Sequence, residues 1–517
     1  MTTRTWTTSL AILAAALGGC TDRYWQARLF KPDTSELKQA SPEAPFLKAH
    51  GKDGSLAVLR AWTLDGAGGT LSGDGLRYDA DRKLLSRGQI ELPLSDLALL
   101  ETNRPESVSR SEVAVLGVVA GVTLAVAALC AMNPKACFGS CPTFYAGAPG
   151  DERLVAEGFS ASIARAFEAT DVDSIDVPRP IGSAVELTMK NEALETHYVR
   201  STRLLAVPRP PGGRVYRVGD RYFPTGRELV PLHCRGVEGD CLADVLADGG
   251  GEYLSRAGAT DLAEQELIEL TFSAPAGPAG LVIRARNGLL NTFVFYQGLA
   301  WLGGKAGETF ARLETMAPGE TPAFTGWERL LARAEVEVWT RSGWKVAGAF
   351  GEIGPIAKET QLVPLPVDLP PGEVKVRLRL TRGNWKLDRL SLAELAGPAV
   401  DPAVITPVEV RRLGGADAGA LSRLRGEGAR LVSVPGDAWT IRFPVPAALH
   451  DAEFFLESRG YYIEWMREQW IAEEDPAAAV ALLRNPESAL RHLAPAWKKM
   501  EPGVEKIFWQ SRMGATP

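Results

Sequence analysis

Between residues 374 and 381 the chain alternates without a break: Val374, Val376, Leu378 and Leu380 are apolar, and Lys375, Arg377, Arg379 and Thr381 are polar. A side-chain period of two buries one face of a strand and leaves the other in water. Trp439, Ile441 and Phe443 repeat the pattern against Thr440 and Arg442, and Phe454–Leu456 offers a partner strand. Leu267–Phe272, Leu281–Arg284, Val336–Trp339 and Val363–Val367 read as further strands, and Leu289–Leu302 as an apolar, aromatic helix. This is the pattern of a β-sandwich. Asp475-Pro476 and Asn485-Pro486 each set an N-cap residue before a proline at the first helical position, so the chain is expected to end in helices.

The first half is patterned differently. Ser55–Arg60, Gly75–Tyr78, Ile90–Leu94 and Leu97–Glu101 read as short strands, with a Gly-rich turn at 65–69, and predict a small antiparallel sheet. Val113–Met132 is an uncharged apolar run of twenty residues, long enough to span a bilayer, with Gly117 and Gly121 four apart. It is built mostly of Ala, Val and Gly, which insert weakly, so a buried or membrane-dipping helix is expected as readily as a span. Further on, Leu154–Phe167 reads as strand then helix, Val185–Met189 as a strand, and Pro208–Gly213 as a turn.

The fold class expected is therefore mainly β with helices (α+β), closing in a β-sandwich or jelly-roll-like region with terminal helices. The layout runs from a signal peptide (1–19) through a tether (20–45), a small β domain (46–104) and the apolar helix (105–133). A mixed β domain (134–258), a sandwich with an inserted helix (259–400), and strands with C-terminal helices (401–517) follow. At 517 residues the chain has length for several cores, and its 52 Gly and 35 Pro agree with many turns. A net charge of -6 disfavours nucleic acid and anionic lipid surfaces as partners.

The N-terminus changes the picture most. Arg4 is a short positive region, Leu10–Leu17 an apolar stretch too short to cross a bilayer, and Gly18-Gly19 the small residues before a cleavage point. Leu17-Gly18-Gly19-Cys20 resembles the bacterial lipobox. That resemblance implies acylation of the Cys20 thiol, palmitate among its acyl groups, and a membrane as first partner. Thr21 rather than Asp after the cysteine implies outer-membrane delivery under similar sorting rules. An exported chain meets an oxidising compartment, so Cys137 with Cys141 and Cys234 with Cys241 are candidate disulfides. A Cys₄ zinc site is the alternative, although only the first pair has zinc-ligand spacing.

Candidate chemistry is sparse. Five histidines stand without HExxH, Gly-x-Ser-x-Gly or a Walker loop. Glu192, Glu195 and His197 lie close enough for acid-base or metal work, or form a solvated face. Asp171, Asp173 and Asp176 resemble half of a calcium loop, or else serve turns and caps. Trp339, Trp344 and Trp385 are the candidate ligand-binding residues, since exposed indoles stack on sugar rings; core packing is their ordinary use. Tyr461, Tyr462 and Trp465 read as a packed edge against the terminal helices.

Lys135-Ala-Cys-Phe-Gly-Ser-Cys-Pro-Thr-Phe-Tyr145, Ala156-Glu-Gly-Phe-Ser160 and Glu168-Ala-Thr-Asp171 resemble a family of uncharacterised bacterial lipoproteins. Asn191-Glu-Ala-Leu-Glu-Thr-His197 and Glu457-Ser-Arg-Gly-Tyr-Tyr462 extend the likeness, which implies a location and a layout but no activity. Val374–Leu392 resembles the closing strands of galactose-binding-like β-sandwiches. The function expected is a lipid-anchored envelope protein binding a glycan or a partner protein without catalysis, and with no cofactor or metal. An extracytoplasmic, glycosidase-like hydrolase using paired carboxylates is the alternative.

Overall fold

A computed structural model describes residues 21–30, 47–51, 55–65, 69–78, 84–109, 141–147, 151–177, 183–193, 195–246, 251–303, 330–332, 334–351, 353–367, 369–412, 417, 419–433, 437–464 and 473–511. The chain divides into two compact units. In the first, β1 (Thr21–Phe30), β2 (Leu47–Gly51), β3 (Leu56–Asp65), β4 (Thr70–Tyr78), β5 (Leu84–Pro93) and β6 (Leu97–Ser109) form one antiparallel sheet. Its order is β1-β6-β2-β3-β4-β5. Leu47, Leu59, Trp62, Leu71, Ile90 and Leu92 are buried together on this sheet, and the small antiparallel sheet expected here is present. Residues 21–30, within the segment expected as a tether, pair with β6 from Thr21↔Ser109 to Phe30↔Leu100. Tyr24, Trp25, Leu29 and Phe30 supply β-propensity that the neighbouring polar residues obscure.

The second unit holds two β-sandwiches. Its strands begin with β7 (Thr143–Ala146), β8 (Arg153–Glu157), β9 (Ala169–Ile175), β10 (Ala184–Lys190) and β11 (Glu195–Pro208). Next come β12 (Arg214–Val218), β13 (Arg221–Leu229), β14 (His233–Gly236), β15 (Gly239–Asp240), β16 (Gln265–Ser273) and β17 (Ala279–Asn287). After them lie β18 (Ala334–Thr340), β19 (Gly343–Phe350), β20 (Glu359–Pro364), β21 (Glu373–Thr381) and β22 (Trp385–Leu395). The last are β23 (Ala403–Ile405), β24 (Glu409–Arg412), β25 (Leu431–Ser433), β26 (Ala438–Pro444) and β27 (Ala452–Glu464).

The first sandwich packs β24-β26-β10-β7-β8 on β23-β11-β27-β9, with β25 added beside β11. The second packs β12-β13-β22-β17-β20 on β15-β14-β16-β21-β18-β19. The second is thus inserted between β11 and β23 of the first, where the sequence predicts consecutive domains meeting at residues 258 and 400. Another expectation is corrected here. Phe454–Leu456 does not pair with Trp439–Phe443: β26 pairs with β10, and β27 with β11. The two stretches face each other across one core that holds Trp439, Ile441, Phe443, Phe454 and Leu456. Periodicity reports which face is buried but not which strand lies alongside.

The predicted terminal helices are present at Pro476–Arg484 and Pro486–Met500, with a third at Val504–Ser511. Asn485 caps the second, its side-chain oxygen accepting from Ser488 N at 3.4 Å. The helix expected within 154–167 shrinks to a 3₁₀ turn at Arg165–Phe167. Among the described residues no helix is long and apolar enough to cross a membrane. Val113–Met132 lies outside the described residues, as do Cys20, Cys130, Cys137 and Trp465.

Candidate functional site

Three places in the second unit concentrate chemistry. The first is the polar heart of the first sandwich. Cys141, just ahead of β7, is a free, buried thiol. Burial, and after it the negative Glu157 and Glu195, push that thiol well above its ordinary range, while the neighbouring Tyr462 hydroxyl works the other way. It is therefore protonated at neutral pH, the opposite of an activated nucleophile. The bridge expected between Cys141 and Cys137 is not made at Cys141, whose sulfur faces Glu157 and Tyr462 inside the core.

Around it, His197 Nε2 lies 2.7 Å from Glu195 Oε1 with both side chains fully buried. Register places His197 opposite Tyr462, whose hydroxyl donates to Ser160 O at 3.0 Å. Glu192, Glu195 and His197 are all buried, which overturns the solvated face, and Glu192 accepts from Thr143 Oγ1 at 2.6 Å and Tyr145 OH at 2.8 Å. Glu168 gathers Arg200 at 2.6 Å, Arg430 at 2.5 Å and Arg459 at 3.3 Å. Burial disfavours its charge, yet Arg430 and Arg200 hold its carboxyl below the usual carboxylate range. The short phrases singled out in the sequence, at 141–145, 156–160, 168–171, 191–197 and 457–462, thus converge on one sandwich. Tyr461 stacks on Tyr198 with centroids 4.7 Å apart, so these tyrosines are core rather than an edge against the terminal helices.

The second place joins the two sandwiches. β9 is an edge strand of one, β20 an edge strand of the other, and they touch. Glu157 Oε2 reaches across to accept from Ile356 N at 2.7 Å and Ala357 N at 3.2 Å. Gly354 is needed there, since a Cβ would stand 2.1 Å from the Glu157 carboxyl carbon. Asp171 accepts from Phe159 N and Val172 N, both at 2.9 Å. Phe159 has φ +41°, a left-handed conformation costly for a bulky residue, and the Asp171 bond helps to hold it. Gly460 admits its ring: a Cβ there would lie 2.9 Å away.

Asp173 and Glu359 complete the junction, and both are buried. Burial first, then Asp171, Glu359 and Glu157, raise the Asp173 carboxyl well above its ordinary value. Burial likewise pushes Glu359 up to about 8, against the pull of Arg217 at 3.3 Å. Asp171 and Asp173 belong to strand β9, so neither a calcium loop nor a turn or helix cap describes them. Among the described residues no group of three or more His, Cys, Asp or Glu is placed to hold a metal. The sequence held no signal for Glu359, which sits 186 positions beyond Asp173.

The third place is the outer face of the second sandwich. β18 and β19 form a hairpin at a sheet edge, with Trp339 directly opposite Trp344. Val336 and Val338 point into the core, so Trp339, one position on, turns outward and is 41% exposed. The two indoles meet edge to face, centroids 5.5 Å apart. Arg377 covers the Trp344 ring at 4.2 Å and is itself held by Glu337. Trp385, the third candidate, is in the core against Phe350, because β22 is an interior strand. Cys234 and Cys241 form a disulfide across the β14–β15 turn, with Cα atoms 5.1 Å apart, which removes them as zinc ligands.

No family model matches the chain, and no curated protein matches it. Among solved structures, tripeptidyl peptidase 2 aligns at 9% identity and a TM-score of 0.15, covering 83% of this chain and 24% of that one. The chain thus spans about a quarter of that protein's length. The VP2 subviral particle of infectious bursal disease virus aligns at 8% identity and 0.16, covering 95% and 94%. The secreted serine protease VesC from Vibrio cholerae aligns at 10% and 0.14, covering 71% and 96%. At such TM-scores none of these likenesses extends to a shared fold.

Proposed function

We propose that this protein is a lipid-anchored component of a bacterial cell envelope, held through Cys20, whose second sandwich binds glycan without catalysis. The observation that carries the reading is the outward Trp339, an exposed indole braced edge to face by Trp344 on a rigid hairpin. Apolar sugar faces stack on such rings, and the bracing limits the side-chain entropy lost on binding. Co-sedimentation of the full chain with purified cell-wall sacculi and with cellulose tests it. Trp339→Ala is expected to abolish retention on whichever polymer the wild type follows. Equal sedimentation of the two proteins, or none by the wild type on either polymer, would overturn the assignment.

A second reading, a hydrolase working through paired carboxylates, is favoured by the raised Asp173 and Glu359. Their burial weighs against it, at 6% and 4% exposure, because a general acid must touch its substrate. Glycan hydrolysis by the wild type, lost in Asp173→Asn and Glu359→Gln, would put this reading ahead of the first.

A further inference from the structure

Resting on the glycan-binding reading, we infer that the Trp339 face takes an anionic sugar chain, one bearing carboxylate or phosphate groups, rather than a neutral one. The sheet register sets out the geometry. Thr271 stands opposite Lys375, Val376 opposite Val338, and Trp339 opposite Trp344. One row across β16, β21, β18 and β19 therefore reads hydroxyl, ammonium, indole, indole. Three strand spacings of ~4.8 Å make it about 14 Å long, the scale of an oligosaccharide rather than of one ring.

The charge on this face decides the class of ligand. Lys375 is exposed and makes no ion pair with another described residue, and the same holds of Arg341 in the turn that joins β18 to β19. Of the neighbouring acids, Glu337 holds Arg377 and lies 3.2 Å from Arg379, and Glu335 lies 4.0 Å from Arg379, while Glu269, opposite Arg377, and Glu373, opposite Ser273, stand outside the row on either side of it. Arg377, fixed by Glu337, spreads its positive charge over the Trp344 face. A sugar stacked on Trp339 thus has an unpaired ammonium beside it and no unpaired carboxylate in its row. Acidic substituents are attracted there by charge, whereas a neutral chain can take only hydrogen bonds from Lys375.

The full-length chain in detergent would be titrated by biolayer interferometry against four immobilised polymers. Polygalacturonate carries carboxylates, phosphomannan carries phosphates, fully methyl-esterified polygalacturonate is a nearly matched backbone without charge, and polyglutamate is a polyanion without sugar. Binding to polygalacturonate or phosphomannan, tighter than to the methyl ester, is expected, and which of the two is preferred identifies the acidic group. Lys375→Gln should weaken acidic-polymer binding about threefold, as befits one exposed ion pair, and erase the preference over the ester. Trp339→Ala should weaken it about tenfold, the scale of a lost stacking contact. Equal affinity for the methyl ester, unchanged by Lys375→Gln, would overturn the anionic assignment and leave glycan binding standing. Binding of polyglutamate as tightly as the sugars and regardless of Trp339, or binding of no polymer, would overturn both.

Discussion

Replacing Glu359 by glutamine should stabilise the second unit at neutral and alkaline pH and leave it nearly unchanged at pH 5. In the native state burial pushes the Glu359 carboxyl up to about 8, and in the unfolded chain it titrates near the ordinary value of ~4.3. Between those two values the folded state holds a proton that the unfolded state has released. Stability therefore falls as pH rises across this window: the contribution is complete below ~4.3 and gone above about 8. Nearly four units at ~1.4 kcal/mol each set a ceiling of about 5 kcal/mol for one such group. Arg217 at 3.3 Å opposes the shift, and because its guanidinium stays charged throughout, that pull is already contained in the value of about 8. Three of those units fall between pH 5 and pH 8, so the loss expected there is up to about 4 kcal/mol, and Asp173, raised by the same burial, adds in the same direction. The amide of the Glu359→Gln variant keeps the shape of the carboxyl and cannot ionise. Urea unfolding followed by tryptophan fluorescence at pH 5, 6, 7 and 8 measures both curves. A wild-type stability flat over that range, or a Glu359→Gln variant less stable than wild type at pH 8, would refute the reasoning.

Cys20→Ser should release the protein from membranes or leave an unprocessed precursor, read by fractionation and N-terminal mass; normal processing and sedimentation would contradict the lipobox. Replacing Cys234 and Cys241 by Ser should cost ~2–2.5 kcal/mol of unfolding free energy, as for any short closed loop, measured by urea titration under non-reducing conditions. Cys141 should resist iodoacetamide in the native protein at pH 8 and react once unfolded, since burial and Glu157 hold the thiol protonated; peptide mapping that finds it alkylated at the rate of a free thiol would refute this. Trp385→Ala should cost ~3–5 kcal/mol of stability and spare glycan binding, the converse of Trp339→Ala, because one indole is core and the other is surface.

Much of the fold was legible because alternation is a local signal. Val374–Thr381, Trp439–Phe443 and Val185–Met189 lie in strands β21, β26 and β10, and Asn485 caps the helix its dipeptide announced. What a period of two cannot carry is the partner. Nothing in Phe454–Leu456 says that β27 joins β11 and β9 while Trp439–Phe443 joins β10 and β24. The same limit hid the insertion. The described strands from β12 to β22 form a complete sandwich, so the chain must leave the first at Pro208 and return at Ala403, and only long-range pairing such as Leu204↔Ile405 records that.

The chemistry divides along the same line. Trp339 could be read as surface because it follows Val336 and Val338 by the odd step that turns a side chain outward, and the structure keeps it there. Trp385 also stands at a strand end beside polar residues, but β22 lies between β13 and β17, and an interior strand of a sandwich leaves little of either face to water. The junction carboxylates were the least legible. Asp171 and Asp173 resemble turn residues because acids are rare in strands, and only the folded chain shows that they stand in β9, beside β20 of the other sandwich. Burying Asp173 beside Glu359 raises both carboxyls and costs stability at neutral pH. Asp173 comes from one sandwich and Glu359 from the other, so their contact joins the two through carboxyls whose charge depends on pH. Acidification should therefore tighten the hold of one sandwich on the other while leaving each separate apolar core as it was.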